Sequence, residues 1–253
     1  MSNQPNIGLQ LYTVREECAR DLEHVLRTVA EIGYDGVEVY DLCGHDATVV
    51  RGWLDEYGLV VAGRHAGLAA LESDLSALAD ELQVLGTDRI ALSWIDPPES
   101  LADARAVVER IAAVAAQAHE LELQFGFHNH WGELRQFEGG VTTLDLLCAL
   151  PSELLWLELD LGWAWEAEVD PIELLERLAG RCPLVHIKDL RSRGSREHCP
   201  VGDGVVGYDR IVPAALVAGV EWLIVEQDEL NGPPFEAVER SLDAVRRFLP
   251  VPA

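Results

Sequence analysis

The feature that most restricts the fold of this chain is the alternation of eight short apolar runs with amphipathic segments. Each run has the length and apolar character of a buried strand, and the runs lie at residues 7–13, 36–40, 59–64, 89–94, 123–128, 156–161, 184–188 and 222–226. The intervening segments, such as 101–118 and 235–249, repeat their apolar residues with a helical period. Strands separated by helices pair in parallel, because a hairpin connection leaves no room for a helix. Eight such units in 253 residues predict a single (β/α)8 TIM barrel, one domain over residues 1–253.

Glycines mark the predicted helix ends. Gly33, Gly58 and Gly219 each follow an amphipathic segment and precede an apolar run, as expected of residues just past a helix C-terminus. The alternative fold is a doubly wound open sheet, which would carry a glycine-rich phosphate loop after an early strand. The first run continues instead into YTVR at residues 12–15. The barrel is therefore the favoured architecture.

The charge of the chain restricts its partners. Nineteen basic residues against 44 acidic ones give a net charge of −25, which repels phosphate backbones and argues against nucleic-acid binding. A small neutral carbohydrate fits better, and an anionic substrate would need a local cluster of positive charge or a metal. No run reaches the roughly 18 apolar residues of a membrane span, and the polar start MSNQPN does not resemble a signal peptide. The five cysteines are widely spaced without a C-x-x-C motif, which favours a reduced, cytoplasmic protein.

Histidines and acids collect where the predicted strands end, which is the active-site face of a (β/α)8 barrel. Four of the eight histidines stand there, namely His65, His128, His130 and His186. Aspartate and glutamate occur at neighbouring strand ends. Imidazole and carboxylate ligands that converge from rigid strands suit a divalent ion, here Mn, Mg, Co or Zn. The alternative is a set of buried ion pairs that serve only packing.

The segment PLVHIKDL at residues 183–190 contains the most unusual residue of the chain. Lys188 is the only lysine, whereas the other 18 cationic side chains are arginines. It shares one strand face with His186, because side chains alternate along a strand. We expect a role specific to an ammonium group, the alternative being a structural ion pair with an acid.

Five motifs in a fixed order resemble one known family. They are FHNH at 127–130, LELD at 157–160, HIKD at 186–189, VGDGVV at 201–206 and GVEWLIVEQD at 219–228. Together with GLQLYTVR and GYDGVEVY near the start, they resemble the sugar phosphate isomerase/epimerase family, a xylose isomerase-like branch of the TIM barrels. The resemblance implies one divalent ion held by a carboxylate of strand 5, an aspartate of strand 6, a histidine of strand 7 and a glutamate of strand 8.

Carried onto this chain, the resemblance assigns three metal ligands, Asp160, His186 and Glu226. The strand 5 glutamate is missing; His128 stands in its place, and His130 on the same strand face is the alternative. In the epimerases of the family, two metal-bound glutamates move a proton to and from carbon. The missing glutamate makes a histidine partner, or an elimination, more plausible.

The predicted chemistry begins with loss of a proton next to the carbonyl of a keto sugar, giving an enediolate that a metal stabilises. Glu226, or a histidine such as His130, would take the proton, and Lys188 would stabilise the oxyanion or protonate a leaving hydroxyl. The predicted function is a metal-dependent isomerase or epimerase of a sugar, sugar phosphate or polyol. The alternative is a lyase or dehydratase that acts on a keto-sugar or keto-inositol. A non-catalytic barrel subunit and a relative of the abasic-site endonucleases are the remaining alternatives, and a homo-oligomer is left open.

Further residues are candidates for substrate contact: Glu38, His65, Trp94, Trp131, Trp163 and Arg191. Tryptophan rings stack on the apolar face of a sugar, although core packing is their usual role. The acid and the histidine could hold sugar hydroxyls. The arginine stands in the long irregular stretch 191–209, a candidate substrate loop, and could bind a phosphate or carboxylate.

Overall fold

Eight parallel strands form a closed barrel in the computed structural model, which describes residues 4–250. The barrel strands are β1 (Asn6–Gln10), β2 (Gly36–Val39), β3 (Val60–Ala66), β4 (Arg89–Leu92), β5 (Gln124–His128), β6 (Trp156–Asp160), β7 (Leu184–Ile187) and β10 (Trp222–Val225). They follow one another around the ring in chain order, and β10 closes it by pairing with β1. The predicted TIM barrel is confirmed. The prediction of one domain over 1–253 includes residues 1–3 and 251–253, which lie outside the described residues.

Helices surround the barrel and connect its strands. They are α1 (Arg15–Arg20), α2 (Leu22–Ile32), α3 (Ala47–Tyr57), α4 (Leu68–Ser73), α5 (Leu75–Leu85), α6 (Leu101–Glu120), α7 (Thr143–Cys148), α8 (Leu161–Glu166), α9 (Pro171–Arg177), α10 (Tyr208–Val217) and α11 (Pro234–Phe248). Gly33 and Gly58 cap α2 and α3 with positive φ angles, as predicted from their positions. None of these described helices is both long and apolar enough to cross a membrane.

The lower half of the barrel interior is an apolar plug, and its upper half is polar. The plug consists of Ala62, Ala91, Trp156, Leu184, Trp222 and Ile224. Along β6, Trp156, Glu158 and Asp160 all point inward, because alternate residues of a strand share one face. By the same alternation, the inward-facing side chains of β7 and β10 are apolar at the start of each strand and ionisable at its carboxyl end. The carboxyl ends of the strands therefore hold polar groups above a sealed core.

Two segments differ from the expected pattern. The first strand was predicted over 7–13 but ends at Gln10, whose side-chain oxygen accepts a hydrogen bond from Tyr12 N at 3.1 Å and so turns Leu11–Val14 into a 3-10 helix. The stretch 191–209 is not wholly irregular: β8 (Asp189–Leu190) and β9 (His198–Cys199) form an antiparallel hairpin above the barrel. Asp189 anchors it by accepting hydrogen bonds from the backbone of Gly202 and Gly204. A side chain at Gly204 would overlap this carboxylate, which explains a glycine there.

Candidate active site and metal centre

A cavity of about 710 Å³ opens at the carboxyl ends of the strands. Every barrel strand, or the segment directly after it, contributes to its wall. The residues that line it include Tyr12, Tyr40, His65, Trp94, His128, His130, Trp131, Trp163, Arg196, His198, Glu226 and Asp228. Cavities of this size at this face are the usual substrate sites of (β/α)8 barrels.

Four predicted metal ligands meet at the bottom of the barrel mouth: His128 and Glu226 line the cavity, whereas Asp160 and His186 are fully buried and do not. His128, Asp160, His186 and Glu226 are all buried, and each offers a ligand atom within 4.8 Å of those of the others. They come from β5, β6, β7 and the end of β10, and strand register brings Asp160 level with His186. The geometry thus brings together the residues that the strand-end pattern indicated. It places His128, and not His130, in this group.

The donor atoms of the group fit a divalent ion. Two imidazoles and two carboxylates are a ligand set typical of transition-metal ions. His128 Nδ1 is buried and has no hydrogen-bond partner among the described residues, a state that native proteins rarely tolerate without a bound water or ion. Asp160 Oδ2 is also buried, and its contact is the ammonium of Lys188 at 3.1 Å. Burial raises the pKa of Asp160 to about 6 against the opposing charge of Lys188. A further positive charge next to this carboxylate would therefore be stabilising.

The charged groups around Lys188 also favour the binding of a cation. Its Nζ lies 2.8 Å from Asp228 Oδ1, 2.9 Å from Glu226 Oε2 and 3.1 Å from Asp160 Oδ2. Three carboxylates thus surround one ammonium, and His186 contacts one of them, Glu226, so negative charge remains in excess next to the candidate ligands. Burial lowers the pKa of Lys188, but these carboxylates outweigh it and raise the pKa well above its ordinary value.

This geometry argues against one of the two roles predicted for Lys188, protonation of a leaving hydroxyl. An ammonium with a raised pKa and three acceptors is a poor donor of a proton to a leaving hydroxyl, and the side chain is fully buried and outside the cavity wall. Its charge can still lower the energy of a nearby oxyanion. Lys188 also forms ion pairs with carboxylates, as the alternative prediction of a structural role expected.

His186 is held between two carboxylates. Its Nδ1 lies 2.9 Å from Glu226 Oε2, and its Nε2 lies 2.6 Å from Glu38 Oε2. Burial lowers the pKa of His186, but Glu158, Glu226 and Glu38 together raise it well above its usual value. A metal-bound histidine typically donates its second ring N–H to a carboxylate, which fixes its orientation. Glu38 stands in the position of such a partner.

The position of Glu38 differs from the predicted contact with sugar hydroxyls. The side chain is fully buried beneath the cavity and does not line it. Gln10 Nε2 donates to the same oxygen, Glu38 Oε2, at 2.7 Å. Glu38 therefore orients His186 rather than reaching a substrate. The sequence could not show this, because the pair spans 148 positions of the chain.

His65 lines the cavity, and its position keeps the predicted contact with a sugar hydroxyl open. Its Nε2 lies 2.6 Å from Glu158 Oε2, a buried carboxylate that we did not predict as a site residue. The available signal was that Glu158 precedes Asp160 by two residues and shares its strand face. His65, His128, Glu158 and His186 form a second possible metal group. The first group contains all three ligands that the resemblance assigns, Asp160, His186 and Glu226, so we take the first as the candidate centre.

The wall above β4, β5 and β6 is aromatic. Trp94 stands edge-on to His130 with ring centroids 4.5 Å apart, and Trp131 and Trp163 are 4.9 Å apart. All three predicted tryptophans line the cavity together with His130. Burial, and next the charge of Lys188, lower the pKa of His130 to about 3, so its imidazole is neutral. Sugar stacking on these rings stays a prediction.

The hairpin contributes residues that the sequence did not single out. Arg191 was the predicted anion contact, but it is exposed and does not line the cavity. The chain reverses at the hairpin, where Arg191 N bonds to Glu197 O, and this reversal brings Arg196 to the cavity instead. Arg196 lies over the ring of Trp131 at 4.0 Å. His198, from β9, lines the cavity as well.

Fold and site together define a (β/α)8 barrel with a buried cluster of histidines and acids at the floor of its mouth. The chain belongs to the xylose isomerase-like TIM barrel family, whose model matches residues 26–248. The resemblance inferred from the motifs is thereby confirmed.

The chain is similar in sequence to one curated protein and in fold to many solved structures. The chain is 29% identical over 197 residues to an inosose dehydratase of Geobacillus kaustophilus (strain HTA426), a match that covers 67% of this chain and 62% of that protein. A sugar phosphate isomerase/epimerase structure from Parabacteroides distasonis ATCC 8503 has 22% identity and a TM-score of 0.82, covering 97% of this chain and 96% of that one. A D-allulose 3-epimerase from Methylomonas sp. has 15% identity and a TM-score of 0.68, covering 98% and 100%. At these identities the two structures show a shared fold.

Proposed function

We propose that this protein is a divalent-metal-dependent dehydratase or lyase that acts on a small keto sugar or keto polyol. The observation that carries the proposal is the convergence of His128, Asp160, His186 and Glu226, two of which, His128 and Glu226, line the cavity. The likeness to an inosose dehydratase supports elimination as the outcome.

The four converging residues would hold the ion. When bound, a divalent ion supplies Lewis acidity, which stabilises negative charge on a substrate carbonyl oxygen. The protein itself must then remove a proton from the neighbouring carbon and assist the departure of an oxygen.

Glu226 is the residue placed to remove the proton. Glu226 offers the ion one carboxylate oxygen and keeps the other for the substrate. Its Oε2 already contacts Lys188 and His186. Burial raises the pKa of Glu226, but Lys188 and His186 outweigh it and hold the pKa well below its usual range. Glu226 therefore stays a carboxylate at neutral pH. The proton it takes, together with the departing hydroxide, completes the loss of water.

His198 is the residue placed to assist the departing oxygen. Asp228 N donates to His198 Nδ1 at 2.9 Å, which requires the ring proton to be on Nε2. The nearest carboxylate oxygen, Asp228 Oδ2, lies 3.6 Å from Nε2, too far for a hydrogen bond. This N–H is thus available to a substrate oxygen and would stabilise negative charge as the carbon–oxygen bond breaks.

Epimerisation is the second candidate, and His130 is the observation that favours it. It lines the cavity from the β5 side, where it could return a proton from another direction. Two features argue for elimination instead. The carboxylates among the lining residues, Glu226, Asp228 and Glu229, all follow β10, so no lining carboxylate stands on the β5 side to return a proton from another direction. The low pKa of His130 leaves little imidazolium to donate a proton.

Incubation of the Mn²⁺-loaded protein with a keto-inositol in deuterated water tests the proposal. We expect loss of one water from the substrate, detected by mass spectrometry, loss of activity after chelation and recovery with Mn²⁺. An Asp160→Asn variant, which weakens one ligand, serves as the negative control. Stereoinverted substrate that carries deuterium, without loss of water, would establish the epimerase instead. Failure to bind Mn²⁺, Mg²⁺, Co²⁺ or Zn²⁺ would exclude both candidates.

A His198→Gln variant tests the role of the hairpin. Removal of one donor to a developing oxyanion typically lowers kcat about 10²-fold or more. Because Glu226 is unchanged, we expect exchange of the substrate proton with deuterated water to survive while product formation falls. His119→Gln, on the exposed side of α6, is the matched control. An equal loss of exchange and product formation would contradict this assignment.

A further inference from the structure

We propose that the cavity binds a keto sugar that carries a neutral, apolar substituent, of the aryl glycoside class, more tightly than a free keto-inositol or a sugar phosphate. The proposal rests on the proposed function for the keto end of the substrate and adds a second subsite. The cavity volume of about 710 Å³ lies within the range of pockets that enclose drug-sized ligands. This volume is well above the space that a single six-carbon ring needs.

Exposed aromatic side chains mark where the additional part of the ligand would lie. Large exposed hydrophobic residues are few among the described residues: Tyr12, Val49, Val60, Val84, Trp94, Leu121, Val205 and Val217. Only Tyr12 and Trp94 in this group are aromatic, each 40% exposed, and only these two line the cavity. Aromatic rings left in solvent at a cavity wall are typical of ligand contact.

The apolar part of the wall is separate from the metal end. Tyr12 and Tyr40 follow β1 and β2 and meet edge-on with ring centroids 5.5 Å apart. Ala66, Ala70 and Leu78, which follow next around the ring, complete this side. The candidate metal ligands come from β5, β6, β7 and β10, the other half of the ring, which adjoins the apolar half where β10 pairs with β1 and where β4 pairs with β5. A ligand that reaches both sides must therefore be polar at one end and apolar at the other.

Charge distinguishes an apolar substituent from a phosphate. Two arginines line the cavity. Arg196 lies over Trp131, on the side of the metal ligands. Arg64 lies on the apolar side, where its guanidinium already pairs with Glu81 and donates to the carbonyl of His65. Its charge is therefore neutralised within the protein. Alanine and leucine side chains offer no hydrogen bond to a second sugar. An aryl group, which stacks on Tyr12 and needs no polar partner, fits this side best.

Binding to the metal-free protein tests the subsite without any need for turnover. Phenyl β-glucoside, methyl β-glucoside and glucose 6-phosphate are the probes, followed by calorimetry and by the fluorescence of the cavity tryptophans. We expect phenyl β-glucoside to bind about tenfold more tightly than methyl β-glucoside. Equal affinity of the two glucosides, or tighter binding of glucose 6-phosphate, would overturn the proposal.

Two variants locate the effect. Tyr12→Ala and Trp94→Leu, both at exposed positions, should each reduce the preference for the phenyl compound, whereas Tyr57→Ala on α3, outside the cavity, should keep it. A preference that both variants retain would also overturn the subsite. Because the readout is binding, the subsite can fail while elimination of a keto-inositol succeeds, and the reverse outcome is equally distinguishable.

Discussion

Replacement of Glu226 with glutamine is expected to lower kcat about 10³-fold, the largest loss of activity that we predict for a single substitution. General base catalysis typically contributes about 10²–10⁴-fold, and an amide cannot take a proton from carbon. The amide also removes the charge that Glu226 sets against Lys188 and His186. Rapid-quench measurement of product formation by Mn²⁺-loaded protein gives the effect on chemistry directly.

The Glu226→Gln experiment needs two controls. Metal content must be measured on the same sample, so that loss of the ion is distinguished from loss of the base. Glu239→Gln, an exposed position on α11, removes the same charge far from the cavity and should leave kcat unchanged. If Glu226→Gln retains metal and more than about a tenth of kcat, Glu226 is not the base.

Replacement of Lys188 with methionine is expected to lower the free energy of unfolding by about 3–5 kcal/mol in the absence of metal, as when one partner of a buried ion pair is removed. Asp160, Glu226 and Asp228 would lose the ammonium that lies within 3.1 Å of each. Urea unfolding at pH 7 gives the value. Mn²⁺ should reduce the deficit, because the ion would add positive charge next to the same carboxylates.

A double variant separates charge from packing in this experiment. Asp228→Asn removes the carboxylate closest to Lys188, so Lys188→Met combined with Asp228→Asn should be less unstable than the sum of the single changes. Strict additivity, or a loss below about 1 kcal/mol for Lys188→Met, would show that the ion pairs stabilise the fold little.

The part of the candidate site that could be predicted follows from local rules. Apolar runs and helical periods indicate the barrel, and the barrel places strand ends together, so Asp160, His186 and Glu226 were expected at one mouth before any distance was known. The substitution of histidine for the strand 5 glutamate was also visible. The choice between His128 and His130 was not, because alternation puts both on one face of the predicted strand, whereas in the structure β5 ends at His128 and His130 lies beyond it.

The sequence by itself determined the barrel, its family and which strand faces carry histidine and acid, because these depend on periodicity and on residue order along the chain. Only the tertiary structure decided that Glu38 lies under His186, that Arg196 and not Arg191 reaches the cavity, and that His198 bonds to Asp228. These contacts join residues from 30 to 148 positions apart. Barrel closure and the anchoring of the hairpin by Asp189 set them, and neither leaves a local pattern in the chain.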